Sequence, residues 1–147
     1  MIRVAEPKDS IAIFGLIQEL ATYELAPEQV SNTAEQLHTD LFVDQICHAI
    51  IAENAHGKVI GFALYYISYS TWKGRCIYLE DFYVQEAERK KGYGQALFDE
   101  MVQIAKTSGV KRMDWQVLDW NETALNFYRR NNATLDPEWI NGRLFFE

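Results

Sequence analysis

Cysteine is scarce in this sequence. Cys47 and Cys76 are the only two among 147 residues. They form no CxxC pair, which argues against a disulfide framework or a thiolate zinc site. Each lies inside an apolar stretch, the usual setting of a small buried hydrophobe. The three histidines, His38, His48 and His56, show no ligand spacing, so no metal is expected. No apolar run approaches the roughly 18–20 residues needed to cross a bilayer. The opening Met1–Pro7 carries neither a signal-peptide core nor an Arg-rich presequence, and a cytoplasmic protein is the expectation. Excess positive charge is also missing. A formal net charge of −7 disfavours nucleic acid, which needs a basic face, and is compatible with a cationic ligand.

What is present suits a single domain over residues 1–147. Hydrophobic residues make up 48% and aromatics 14%, enough to build a core at this length. Ile2–Ala5 reads as a strand. Pro7 and Asp9 open a helix carrying Phe14, Ile17 and Ala21, which ends near Ala26-Pro27-Glu28. Thr33 and Gln36 have capping-box spacing ahead of a short helix bearing Leu37 and Leu41. Cys47–Ala52 and Val59–Tyr69 read as a hairpin, and Cys76–Val84 as a further strand. Gly94–Thr107 is a helix with Leu97, Met101 and Ile104 on one face and Gly109 as its stop. Arg112–Val117 reads as a strand, Asn121–Arg130 as a helix capped by Asn121, and Leu144–Phe146 as a terminal strand. The order predicts an α+β chain, with a mixed, mostly antiparallel central sheet and helices on both faces.

Three features bear on chemistry. Arg89-Lys90-Lys91-Gly92-Tyr93-Gly94 joins a strand to a helix. Its two glycines permit a tight curl with N–H groups aimed at one anion, and the helix adds its positive end. The loop suits a pyrophosphate, although the pattern alone also fits a plain glycine turn with solvated charges. It is neither a Walker loop nor a full dinucleotide fingerprint. Glu80-Asp81 interrupts an apolar strand. Adjacent strand residues face opposite ways, so one carboxylate is expected on an otherwise apolar face, with a partner, water or a cleft, unless the strand is a solvated edge. Ala124 and Tyr128 share a helix face, where Tyr128 either reaches a ligand or simply packs in the core.

In this order, these motifs together with Asn121-x-x-Ala124-x-x-Phe127-Tyr128 resemble the GNAT acetyltransferase superfamily. More narrowly, Glu19–Glu24, Tyr69–Arg75, Tyr78–Val84 and Val117–Asn121 are similar to the spermidine/spermine N-acetyltransferase family. The stretch Ser70-Thr71-Trp72-Lys73-Gly74-Arg75 is nearest its thialysine N-epsilon-acetyltransferase branch. The resemblance runs from about Ile2 to Phe146. It implies a GNAT fold and a homodimer. It also implies transfer from acetyl-CoA, as co-substrate, to a primary amine of a small cationic metabolite, either a thialysine-like amino acid or a polyamine. Phe82, Tyr83 and Val84 would hold the pantetheine arm. Lys90, Lys91, Gly92, Tyr93, Gly94 and Gln95 would cradle the pyrophosphate, and Asn121 and Ala124 would line the CoA side. Tyr128 matches the general acid and Glu80 the carboxylate that relays the amine proton. Tyr23, Glu24, Trp72, Glu80 and Asp81 fall where the family lines its acceptor site.

Two departures stand out. Asn131-Asn132 replaces the glycine usual after the tyrosine helix, and asparagine tolerates the left-handed cap. Ser70-Thr71 replaces the Asp-Pro of the polyamine branch, which removes a carboxylate from the acceptor region. In the implied reaction an alkylammonium with pKa near 10.4 must first lose a proton, and only about one part in two thousand is neutral at pH 7. The alternative reading is a catalytically weak acyl-CoA-binding regulatory module.

Overall fold

Apolar alternation along residues 48–84 builds most of the sheet. In the computed structural model, which describes residues 1–146, the strands are β1 (Ile2–Val4), β2 (His48–Glu53), β3 (Val59–Ser70), β4 (Gly74–Val84) and β5 (Met113–Asp114). They lie in the order β1-β2-β3-β4-β5, antiparallel except for the parallel β4–β5 pair. The helices are α1 (Ser10–Tyr23), α2 (Ala34–His38), α3 (Tyr93–Ser108) and α4 (Glu122–Arg130). The expected α+β architecture is therefore found.

The chain falls into two compact units that divide after Gln116. In the first, the two sheet faces carry separate cores. Phe62, Leu64 and Tyr83 pack with Ile13, Phe14, Leu16 and Leu20 of α1 and with Leu37 of α2. Ile77, Leu79 and Val84 pack with Leu97 and Met101 of α3. The apolar stripe of α1 runs through Ile13, Leu16 and Leu20 beside Phe14, whereas Ile17 and Ala21 lie at its partly exposed margin. Thr33 accepts a hydrogen bond from the Gln36 N–H at 3.1 Å, as its spacing predicted. Gly61 is required where β3 meets β4, because a Cβ there would come within 2.9 Å of the Tyr83 carbonyl oxygen. At the sheet margin, the Arg3 guanidinium grips the buried Asp9 carboxylate at 2.8 and 3.0 Å and also bonds Glu53.

One irregularity decides how the sheet is used. Leu64 pairs with Asp81, yet the next residue, Tyr65, pairs with Leu79, so Glu80 is an extra residue in β4. Such a bulge bends its strand and increases local twist. The parallel ladder with β5 reaches only Tyr78 and Asp114, two residues before the bulge. The strand expected over Arg112–Val117 is accordingly just Met113–Asp114, since β4 bends away at the bulge and offers no further ladder.

In the second unit, Asn121 caps α4 by accepting from the Ala124 N–H at 3.1 Å. Asn132 adopts φ +62°, and the Ala133 N–H reaches the Tyr128 carbonyl at 3.0 Å. Asparagine thus supplies the left-handed stop. Residues 133–146 form neither helix nor strand, contrary to the terminal strand expected at Leu144–Phe146. A strand exists only through a ladder partner, and this segment forms no ladder. Trp139, Ile140, Leu144, Phe145 and Phe146 are all exposed, Phe146 to 93%.

Candidate active site

The bulge changes the geometry of the two acidic residues. In a regular strand Glu80 and Asp81 would face opposite ways. Here Leu79 and Phe82 both pack on the α3 side, and Tyr83 packs on the α1 side. Two residues thus intervene between inward turns toward α3, instead of one. Asp81, opposite Leu64 and in step with Tyr83, lies on the α1 side. The extra residue breaks the simple alternation of the pair, and Asp81 is the carboxylate expected on an otherwise apolar face. Glu80 is exposed on the bulge, while Asp81 is partly buried.

Glu24 closes α1 and is also partly buried, which raises its pKa. Loss of water around Asp81, followed by the negative charges of Glu80 and Glu24, pushes its pKa up to about 7. Tyr66, paired with Tyr78 on the adjoining strand and stacked on it at 5.4 Å, is raised by burial and then by Glu80. Glu24, Glu80 and Asp81 therefore form one electronegative patch, a setting that favours an incoming cation.

The loop before α3 has the geometry of an anion cradle. Lys90 and Gly92 both adopt left-handed backbones, with φ +64° and +89°. Sequence reasoning assigned the curl to the two glycines, but Gly94 already lies inside the helix with an ordinary backbone. The first helical bond runs from the Ala96 N–H to the Gly92 carbonyl at 3.0 Å, so the Tyr93 and Gly94 amides precede it. A Cβ on Gly92 or Gly94 would meet nothing within 4 Å. Neither glycine is needed for internal packing at that spot, and the open backbone fits a phosphate group pressed against it. Lys90, Lys91 and Gln95 are exposed around this loop, with Lys91 held 3.0 Å from Glu88.

Arg89 has a different task. It donates to the Val84 carbonyl at 3.1 Å, and its guanidinium lies 4.8 Å from the Tyr23 ring centre and 5.7 Å from that of Tyr83. Tyr83 in turn donates to Glu19 at 3.3 Å, which Gln85 also bonds. An open groove of about 470 Å³ runs here between α1 and the β4–α3 loop, lined in part by Glu19, Tyr23, Tyr83 and Arg89. The sequence reading did not single out Glu19 as functional, and only its four-residue spacing from Tyr23 on α1 hinted at a shared face. Phe82 points the other way, with its ring 5.9 Å from that of Phe98.

Trp72 is not brought to the acidic patch within one chain. It sits in the β3–β4 turn, 85% exposed, beyond Gly74, which is itself roughly 20–24 Å along the strand from Asp81 at ~3.4 Å per residue. The Ser70 hydroxyl accepts from the N–H groups of Trp72 and Lys73 at 3.2 and 3.1 Å, so it shapes the turn. Arg75 donates to the Ser108 carbonyl at 3.0 Å, at the negative end of α3. In the second unit, Tyr128 is buried one turn after Ala124, edge-on to Phe127 at 5.5 Å.

A bulged strand that parts from its parallel neighbour is thus followed directly by a glycine loop at a helix N-terminus, a place suited to an anionic group. The sequence model of the Acetyltransferase (GNAT) family matches residues 14–132, and the chain belongs to that family. It is an N-acetyltransferase, and enzymes of this family use acetyl-CoA as co-substrate. The chain is 41% identical over 141 residues to the thialysine N-epsilon-acetyltransferase of Bos taurus, covering 90% of this chain and 83% of that one. It is 37% identical to the human spermidine/spermine N(1)-acetyltransferase-like protein 1 over 139 residues, 90% of this chain but 20% of that one. An aminoglycoside acetyltransferase from an uncultured soil sample shares the fold, with TM-score 0.81, 18% identity and coverage of 100% and 96%. Among the described residues no helix is long and apolar enough to cross a membrane.

Proposed function

We propose that residues 1–147 act as one catalytic domain that acetylates the primary amine of a small cationic amino acid of the thialysine kind. The observation that carries this reading is the acidic patch of Glu24, Glu80 and Asp81 beside the bend of β4. It can hold one ammonium, but it is too short to track a long polycation. The hairpin turn offers the Ser70 hydroxyl, already engaged by backbone N–H groups, where a polyamine site would want another carboxylate. The similarity to thialysine N-epsilon-acetyltransferases supports the same acceptor.

Acetyl-CoA, when bound, supplies the acetyl thioester. Amides of Lys90 to Gln95 would hold its pyrophosphate, and backbone groups of Phe82 and Val84 its pantetheine arm. The Val84 carbonyl already accepts one hydrogen bond, from Arg89. Asn121 and Ala124 would border the same arm. The acidic patch would bind the ammonium, strip its water and receive its proton, and Tyr128 would take the part of acid toward the leaving thiolate that the resemblance implies. Tyr23 flanks the acceptor, held by Arg89.

We also infer a homodimer in the cytoplasm. Trp72 lies too far from Asp81 to line the acceptor site of its own chain, and a second copy would bring a hairpin tip to it. An assay of thiol release from acetyl-CoA with thialysine, lysine, spermidine and spermine tests the reading. Turnover of no amine, despite CoA binding in calorimetry, would return the chain to an acyl-CoA-binding module.

A further inference from the structure

We propose that Asp81, rather than Glu80, takes the proton from the acceptor amine, and that Glu80 hands it on to water. This deepens the amine-acetyltransferase reading and rests on it. Sequence likeness assigns the relay to Glu80, but the structure separates the two carboxylates by environment. Glu80 rides on the outside of the bulge and is exposed, whereas Asp81 is set back and partly buried, opposite Leu64 on the sheet face that carries Phe62 and Tyr83. The groups acting on it are Glu80 from its own strand and Glu24 from α1, both of its own sign. On β3, Tyr66 lies under the influence of Glu80. Arg89 is engaged with Val84, Tyr23 and Tyr83.

A solvated carboxylate is a poor match for an ammonium, with roughly six pKa units between them. A carboxylate deprived of water and crowded by like charge is a far better one, since efficiency in proton transfer follows basicity. In the step, an N–H bond of the ammonium breaks and an O–H bond forms on Asp81, which leaves the nitrogen lone pair free to attack. That O–H then breaks as the proton passes to Glu80, and the exposed Glu80 releases it to water. The three carboxylates thus divide the work: Glu24 adds charge, Asp81 accepts and Glu80 vents.

The test uses the full chain with saturating acetyl-CoA and thialysine as acceptor, between pH 6 and 10. Asp81→Asn should lower kcat about a hundredfold at pH 7. The deficit should shrink toward pH 10, where the amine begins to lose its proton unaided. Asp81→Glu, which keeps a carboxyl, should retain kcat within about tenfold, and Glu80→Gln should lose less than Asp81→Asn. CoA affinity by calorimetry confirms that each variant is folded. Should Asp81→Asn fail there, Asp81→Ser is carried through the same profile. A raised KM with unchanged kcat in Asp81→Asn would reduce Asp81 to a charge anchor and overturn the assignment. So would a larger, pH-rescued kcat loss in Glu80→Gln. If the wild-type chain acetylates no amine, the functional reading fails and takes this assignment with it, an outcome distinct from active wild type with an indifferent Asp81.

Discussion

Two side chains show how environment sets their parts. Asp81 has its pKa raised to about 7 against an ordinary 3.8, so the folded state holds its proton more tightly than the unfolded chain. Stability is therefore highest below the unfolded value, declines as pH rises from about 4 to 7, and stays reduced above that. Asp81→Asn should raise the melting temperature at pH 8, by about 1–3 kcal/mol in stability for a partly exposed group. The gain should vanish near pH 4. A variant no more stable than wild type at pH 8 would show the carboxyl to be well solvated. For Tyr128, replacement by Phe keeps the ring and its edge-on contact with Phe127 while removing the phenolic proton. We expect kcat to fall about a hundredfold with CoA affinity unchanged, and a wild-type rate across pH 6–9 would dismiss it as the acid. At this scale much was readable in advance. An acidic pair inside an apolar strand announces a special site, and the Asn121 cap and the Asn132 stop follow from side-chain chemistry. The division between Glu80 and Asp81 was not readable, because it depends on a register shift that no local pattern of residues encodes.

At the scale of elements, the loop before α3 separates two uses of glycine. Gly92 needs its left-handed backbone, whereas Gly94 has an ordinary one and leaves open space. Gly92→Val should strain the turn and screen its amides, weakening CoA binding at least tenfold while the fold persists. Gly94→Ala should leave the melting temperature at or above wild type, since alanine suits a helix, yet weaken CoA binding. Calorimetry and a thermal melt on both variants decide the matter, and unchanged affinity in both would remove the loop from the cofactor site. The helices and the long strands were legible because their apolar spacing is strong. β5 and the C-terminal segment were not, since a strand's length is fixed by its neighbour. Arg112–Val117 reads as six strand residues, and the ladder takes two.

For the whole molecule, net charge and the placement of acidic side chains point to the kind of acceptor. A protein of charge −7 with a short acidic patch attracts cations at long range and retains a small one. Spermine, spread over four ammonium groups, would leave some of them without a carboxylate to bond, at about 1.5–3 kcal/mol for each missing charge-assisted hydrogen bond. We expect kcat/KM for thialysine to exceed that for spermidine and spermine at equal salt. A preference for spermine over every amino-acid amine would place the chain with polyamine acetylators. The family was legible from the order of motifs along nearly the whole chain. The site was legible only in part, because the turn that carries Trp72 lies more than about 20 Å from Asp81 along β4, a separation that no local pattern of residues reveals.

Gly61 closes against Tyr83, and β3 against β4, through a regular ladder interrupted once. Skip Glu80, and the remainder of β4 reads as an unbroken two-letter rhythm: Ile77, Leu79, Phe82 and Val84 toward α3, Tyr78, Asp81 and Tyr83 toward α1. The extra residue behaves like a syllable inserted without disturbing the metre. Had the rhythm run straight through, Asp81 would fall in line with Leu79, against Leu97 and Met101, and every later residue of β4 would turn over with it. The chain thus gains a bend, a parting from β5 and Asp81 on the α1 side for a single residue, while the packing on both sides of the sheet keeps its places.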